Sequence, residues 1–220
     1  MATYELNLPV DDAQIEKLKV GDIIYLNGQV CTARDMAHLE MRALVEAGKP
    51  LPEDIRGGAI FHAGPVMKKD KEGKWYLSVI GPTTSIRMEP HADFVGAQGV
   101  KVIIGKGGMG EGTKAALQKY KQVYVQACPG CAVVLAAGIV GTKEPHWFEH
   151  GMPEAMWPLQ AKHFGPFLVT MDSHGASRSQ PCCRSKFGKH QRGFATTGDH
   201  RCLRLRCSET HRSLNKKPRQ

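Results

Sequence analysis

The chain has 220 residues, 41% of them hydrophobic, enough for one sizeable core or for one domain with an appendage. Its opening stretch, MATYELNLPVDDAQIEK, has neither a basic n-region nor an apolar h-region, and its longest apolar run, CAVVLAAGIVG, is about half the roughly twenty residues that a spanning helix needs. A secretory leader and a membrane span are therefore not expected, and a cytoplasmic location is. The formal net charge of +9 is confined to the end: residues 178–220 carry twelve Lys/Arg against two Asp/Glu, leaving 18 basic and 19 acidic residues before them.

In chain order, Asp11 or Asp12 is placed to cap a short helix through Leu18. IIYLNGQVCTA alternates about Asn27-Gly28 and predicts a hairpin. After Thr32, RDMAHLEMRALVEAG predicts a helix with Met36, Leu39, Leu44 and Val45 near one face and Gly48 as its C-terminal cap. GAIFHAGPV and WYLSVIGP read as strands joined by the turn KKDKEGK, and VKVIIG as a buried strand. A helix, EGTKAALQKY, follows GKGGMG; VYVQA, CAVVLAAGIV and GPFLVTM supply further strands. Strands interleaved with helices predict an α/β fold in one domain.

Two loops occupy equivalent places, GPTTSIRM after WYLSVI and GKGGMG after VKVIIG. Both are expected at strand ends, where open α/β sheets collect ligands. Thr83, Thr84 and Ser85 offer hydroxyls and N-caps, and Arg87 a planar fork suited to a carboxylate. The glycines of the second loop let backbone amides close around an anion beside Lys106, ahead of a helix N-terminus. Arg34, with Asp35 and His38 close behind, is a third candidate. GKGGMG matches the dinucleotide fingerprint in form, but VYVQACPGC lacks the acidic residue that such a site requires about twenty positions on. Cys128-Pro-Gly-Cys131 has no second ligand pair for structural zinc, and its apolar neighbours favour buried small residues. His62 and His163 read as hydrogen-bonded structural histidines.

Taken together, GDIIYLNGQVCTARDMAH, GAIFHAGPV, GPTTSIRME, GKGGMG, HWFEHGMPEAMW and GPFLVTMDSHG closely resemble, in order and approximate spacing, the β subunit of two-subunit class I fumarases and L(+)-tartrate dehydratases. The likeness covers about residues 10–175; in single-chain members the same region is the C-terminal domain. It implies an α/β fold of the swivelling β/β/α type, closing over an α subunit that carries a [4Fe-4S] cluster on its own cysteines, so this chain supplies no cofactor or metal ligand. It also implies an α2β2-like assembly and a dicarboxylate substrate. By the resemblance, Arg34, Arg87 and Lys106 correspond to substrate-carboxylate contacts, and Thr83 to the residue that acts as catalytic base. The reaction is reversible hydration of fumarate to L-malate, or dehydration of L-tartrate to oxaloacetate. The role of fumarate in central metabolism, rather than any residue, favours fumarate.

The domain organisation expected is a catalytic domain over 1–176 and an atypical basic tail over 177–220. The tail holds Cys182, Cys183, Cys202 and Cys207 and has few aliphatics and no sustained apolar period. That composition reads as disorder or as translation in a shifted frame. The competing function, nonspecific nucleic-acid binding, rests on the tail alone and has no base-reading motif behind it.

Overall fold

The structure, a computed structural model, describes residues 1–178. The expected basic tail lies almost wholly outside the described residues, and with it the evidence for nucleic-acid binding.

The described chain is α/β: β1 (Thr3–Asn7), α1 (Asp12–Glu16), β2 (Ile23–Thr32), α2 (Asp35–Glu46), β3 (Ala59–Phe61), β4 (Ala63–Lys69), β5 (Trp75–Pro82), a 3-10 helix (Ser85–His91), α3 (Ala92–Ala97), β6 (Val102–Gly105), α4 (Glu111–Tyr120), β7 (Val123–Ala127), α5 (Ala132–Ala136), β8 (Ile139–Thr142), a short 3-10 turn (Phe148–His150) and β9 (Pro158–Met171). Asp11 caps α1 with a capping box shared with Gln14. Strands β2, β3, β6 and β7 pair in parallel, and the long β9 returns antiparallel against both β7 and β2. The pairings β2–β3–β6–β7–β9–β2 therefore form a closed ring, with β1 and β8 added at its flanks. Closure pairs the edges that an open sheet would leave bare.

Period-two alternation divides the ring's side chains between two apolar clusters. Val30, Phe61, Ile104 and Val125 point to one side with Phe164 and Phe167, whose rings meet Phe61 and each other at centroid distances of 4.9–6.2 Å. Cys31, Ile60, Ile103 and Tyr124 point to the other, where α2, α3 and α4 supply Ala37, Met41, Val95 and Leu117. The antiparallel β4–β5 hairpin and α5 pack over the first cluster through Met67, Ile80 and Leu135.

Four expectations are corrected. Asn27-Gly28 is not a hairpin turn: β2 runs straight through it as one strand of ten residues. Gly28 does have φ +105°, and the register against β9 shifts on either side of Leu26, so the positive φ serves an irregularity within the strand. GAIFHAGPV breaks at His62 into β3 of the ring and β4 of the hairpin. CAVVLAAGIV is not one strand but α5 followed by β8, with Val133, Val134 and Val140 exposed. In α2 the buried residues are Ala37, His38 and Met41, whereas Leu39 and Val45 face solvent; Thr32 lies in the core, its hydroxyl donating to Ala155 O and accepting from Trp157 N. Gly48 takes φ +69° just past the helix, as expected.

Candidate functional site

The C-terminal ends of β2, β3 and β6 lie side by side, and the chain leaves them at Arg34, His62 and Lys106. The end of β5 is stitched onto the same place. Thr83 N donates to His62 O at 2.7 Å, His62 N donates to Ile104 O at 2.8 Å, and Thr84 and Lys106 form a parallel bridge in which Ser85 N donates to Lys106 O at 3.0 Å. The two loops singled out from sequence thus become adjacent, although one leaves the hairpin and the other the ring.

Ser85 is fully buried at this junction. Its hydroxyl oxygen accepts from Lys106 N at 3.1 Å and is hydrogen-bonded to His62 Nδ1 at 3.0 Å. Gly105 is required opposite it, because a Cβ there would lie 1.7 Å from Ser85 Oγ. The expected capping hydroxyls do something else: Thr84 precedes the 3-10 helix without a side-chain capping bond.

The charged candidates divide. Arg87, exposed, is ion-paired with Asp35 at the start of α2. Arg34 pairs with Glu154 at 3.1 Å, and Glu154 also accepts from Met36 N. The guanidinium passes so close to β4 that a Cβ on Gly64 would come within 2.8 Å of Arg34 Nη1. Lys106 is half-buried, and no described carboxylate pairs with it. Asp35, next in sequence to Arg34 and bonded to Arg87, draws these two candidates together.

The helix N-terminus read as an anion cradle is already filled. Glu89, from the 3-10 helix, accepts from Gly110 N, Thr113 N and the Thr113 hydroxyl. A carboxylate belonging to the chain therefore caps α4, and the cationic contribution of this loop rests on Lys106. In the sequence Ser85 stands out only as a capping hydroxyl and Asp35 only as a neighbour of Arg34, while Glu89 and Glu154 do not stand out at all. Their roles depend on partners 21 to 120 positions away, which no local pattern records.

Beneath the junction lies a file of imidazoles. His38 stands 5.5 Å from His62 and 5.1 Å from His91 between ring centroids. Burial drives all three below the ordinary histidine value, His38 to about 4 and His62 far down, so each is neutral near pH 7. His38 Nδ1 meets Arg34 O at 2.7 Å. His62 is the hydrogen-bonded structural histidine expected. His163 is hydrogen-bonded too, its Nδ1 3.2 Å from Glu5 Oε1, but it lies exposed at φ +48°, stacked on Tyr25 with centroids 4.1 Å apart.

The three described thiols do not gather into one group. Cys31 is buried, and burial pushes its thiol up to about 12. Cys128 is exposed and Cys131 half-exposed, both free, which corrects the expectation that this pair is buried. Among the described residues no group of three or more His, Cys, Asp or Glu is placed to hold a metal ion. Nor is any described helix long and apolar enough to cross a membrane.

Comparison with known proteins gives one consistent answer. Residues 2–180 match the family described as Fumarase C-terminus. The L(+)-tartrate dehydratase subunit beta of Escherichia coli (strain K12) is 44% identical over 171 residues, covering 77% of this chain and 83% of that protein. A putative L(+)-tartrate dehydratase subunit beta from Methanocaldococcus jannaschii is 43% identical over 165 residues, 74% of this chain and 84% of the relative. A putative fumarate hydratase class I from Geobacillus stearothermophilus is 41% identical over 185 residues, 84% of this chain but 35% of that longer protein.

Proposed function

The chain belongs to the fumarase C-terminus family, and from that premise we propose that it is the β subunit of a hydro-lyase. The reaction is reversible hydration of fumarate to L-malate or dehydration of L-tartrate to oxaloacetate, carried out together with an α subunit. The relatives of subunit length are named for L(+)-tartrate, whereas the fumarate hydratase matches only as part of a longer chain, so L-tartrate stands ahead of fumarate as the substrate to test first. We assign the [4Fe-4S] cluster to the α subunit, because the described cysteines of this chain do not gather into a set that fits it. An α2β2-like assembly and a swivelling closure over the α subunit complete the reading.

The observation that carries the proposal is the junction itself, where the Thr83–Arg87 segment and Lys106 meet beside Arg34. A dicarboxylate needs two cationic contacts and further stabilisation of the negative charge that builds on one carboxylate as the adjacent carbon loses its proton. Lys106, free of any described carboxylate, supplies one point charge. Arg87 and Arg34 supply forks whose resting partners, Asp35 and Glu154, hold each guanidinium in place and occupy only part of its donor set. Thr83 sits half-buried at the same edge, its backbone fixed by His62 O. In this reading its hydroxyl handles the proton at the substrate carbon, which requires surrounding cations to stabilise the alkoxide.

The test is kinetic, on the chain co-produced anaerobically with its α subunit and assayed with L-tartrate, fumarate and L-malate. Arg87→Ala or Lys106→Ala is expected to lower kcat/KM at least about a hundredfold, roughly 2.7 kcal/mol, with cluster content retained. Thr83→Val is expected to lower kcat much more than it changes KM and to abolish exchange of the substrate carbon proton with solvent. Ordinary exchange in that variant would remove Thr83 from the mechanism, and an inactive wild-type complex would refute the function.

A further inference from the structure

Thr83, Arg87 and Lys106 come from two loops belonging to different sheets, and something must hold the loops in one register. Two backbone bonds contribute: Ser85 N to Lys106 O, and Thr83 N to His62 O. A side-chain link joins the Thr83–Arg87 segment to Lys106 as well: the Ser85 hydroxyl accepts a hydrogen bond from the Lys106 amide while bonded to His62 Nδ1. Its place in the chain is apt, two residues after Thr83 and two before Arg87. Its fit is also tight, since Gly105 has no room for a Cβ against Ser85 Oγ, and Tyr124 Oη, 3.0 Å from that same position, donates to Gly107 O at 2.8 Å to anchor the far side of the loop.

We infer that the Ser85 hydroxyl, oriented by the buried His62 ring, is a positioning device that fixes Lys106 against the Thr83–Arg87 segment. Ser85 is fully buried and acts through Lys106, so it is a positioning residue rather than a catalytic one. His62 serves it in two ways. Its backbone joins β6 to Thr83, and its ring saturates the hydroxyl so that the oxygen lone pair facing Lys106 N stays aligned. Behind it, the His38 ring stands edge-on to His62 with centroids 5.5 Å apart. Loss of the hydroxyl frees the Lys106 amide and lets its ammonium drift, and displacements of about an ångström at a reacting centre can cost on the order of a hundredfold in rate.

This inference rests on the hydro-lyase reading for its consequence but not for its structure, and two measurements keep them apart. In the assembled complex, Ser85→Ala is expected to lower kcat/KM tenfold or more, mainly through a raised KM for the dicarboxylate, because Lys106 is misplaced rather than removed. His62→Phe, which fills the space without a ring nitrogen, is expected to do the same. His62→Asn, which restores a hydrogen-bonding group, recovers part of the loss, and Ser85→Ala combined with His62→Phe is no worse than either alone. A merely structural role would lower thermal stability while leaving kcat/KM per folded site within twofold, and that result overturns the inference. Independently, the Lys106 amide in the full-length chain should exchange slowly with solvent by NMR and at least tenfold faster in Ser85→Ala or, should that variant not fold, in His62→Phe. Equal exchange in wild type and variant overturns the inference even if the wild-type complex is active; an inactive wild-type complex with the expected exchange difference overturns the function alone.

Discussion

Asp35 opposes the task proposed for Arg87. A substrate carboxylate approaching Arg87 must share or displace an ionic partner that sits at the first turn of α2, where the helix dipole also favours its charge. Asp35→Asn keeps the shape and an acceptor oxygen but removes the competing charge. The expected result is a KM for the dicarboxylate lower by about two- to fivefold with kcat little changed, measured by initial rates at two ionic strengths. A rise in KM would mean that Asp35 orients Arg87 more than it competes. The contrast with Arg34 is instructive: its partner Glu154 is tied to Met36 N, and Gly64 leaves only enough room for the guanidinium. At this scale the sequence exposed the cations and hydroxyls, because Arg, Lys and Thr in glycine-rich loops carry their chemistry in their identity. Of the carboxylates facing them, Asp35 stood out only as a neighbour of Arg34 and Glu154 not at all, because an Asp or Glu is ordinary on any helix until its partner is known.

The element most at odds with sequence reasoning is β2. Asn-Gly between alternating apolar residues signals a two-residue turn because both positions tolerate positive φ. Gly28 does take it, at +105°, but within a strand pinned on one side by β1 and on the other by β9. What sequence could not reveal is that Leu8 O lies 2.7 Å from where a Gly28 Cβ would be, and that Asn27 accepts from His163 N and donates to Glu5 and Asn7. Gly28→Ala is therefore expected to destabilise the fold by about 2 kcal/mol or more, combining positive-φ strain with a backbone clash, read as a lowered urea midpoint with unchanged slope. By contrast, α4 was legible to its boundaries, since Gly110 precedes and a single amphipathic period fills it. The run CAVVLAAGIV failed for the converse reason: apolar composition alone does not distinguish a short helix from a strand, and here Val133 and Val134 are not even buried.

The molecule as a whole places its proposed catalytic edge over a neutral histidine file, and this couples stability to pH. His38, His62 and His91 are all held below their ordinary value, chiefly by burial, and they face Arg34 O, the Ser85 hydroxyl and the charge of Arg42 rather than any carboxylate. In the unfolded chain each imidazole binds a proton near pH 6.5. Between that value and about 4, where His38 titrates in the folded protein, the unfolded state holds more protons, so stability rises with pH. The contribution is fully present above about pH 6.5 and is lost as the pH falls toward 4. For His38 alone the loss by pH 5 is about 2 kcal/mol, and His62 and His91 add in the same direction. Urea unfolding at pH 7.5, 6 and 5 should show this decline in the wild type. His38→Gln should begin less stable at pH 7.5, because the packed ring is gone, yet decline less steeply across the same interval. Parallel declines in the two proteins would place the acid sensitivity elsewhere. Since the decline comes from protons taken up by the unfolded chain, the folded His62–Ser85 pair that backs Lys106 is unchanged over that interval, until His38 itself titrates near 4. Loss of activity over that interval should therefore track the folded fraction, with activity per folded site retained.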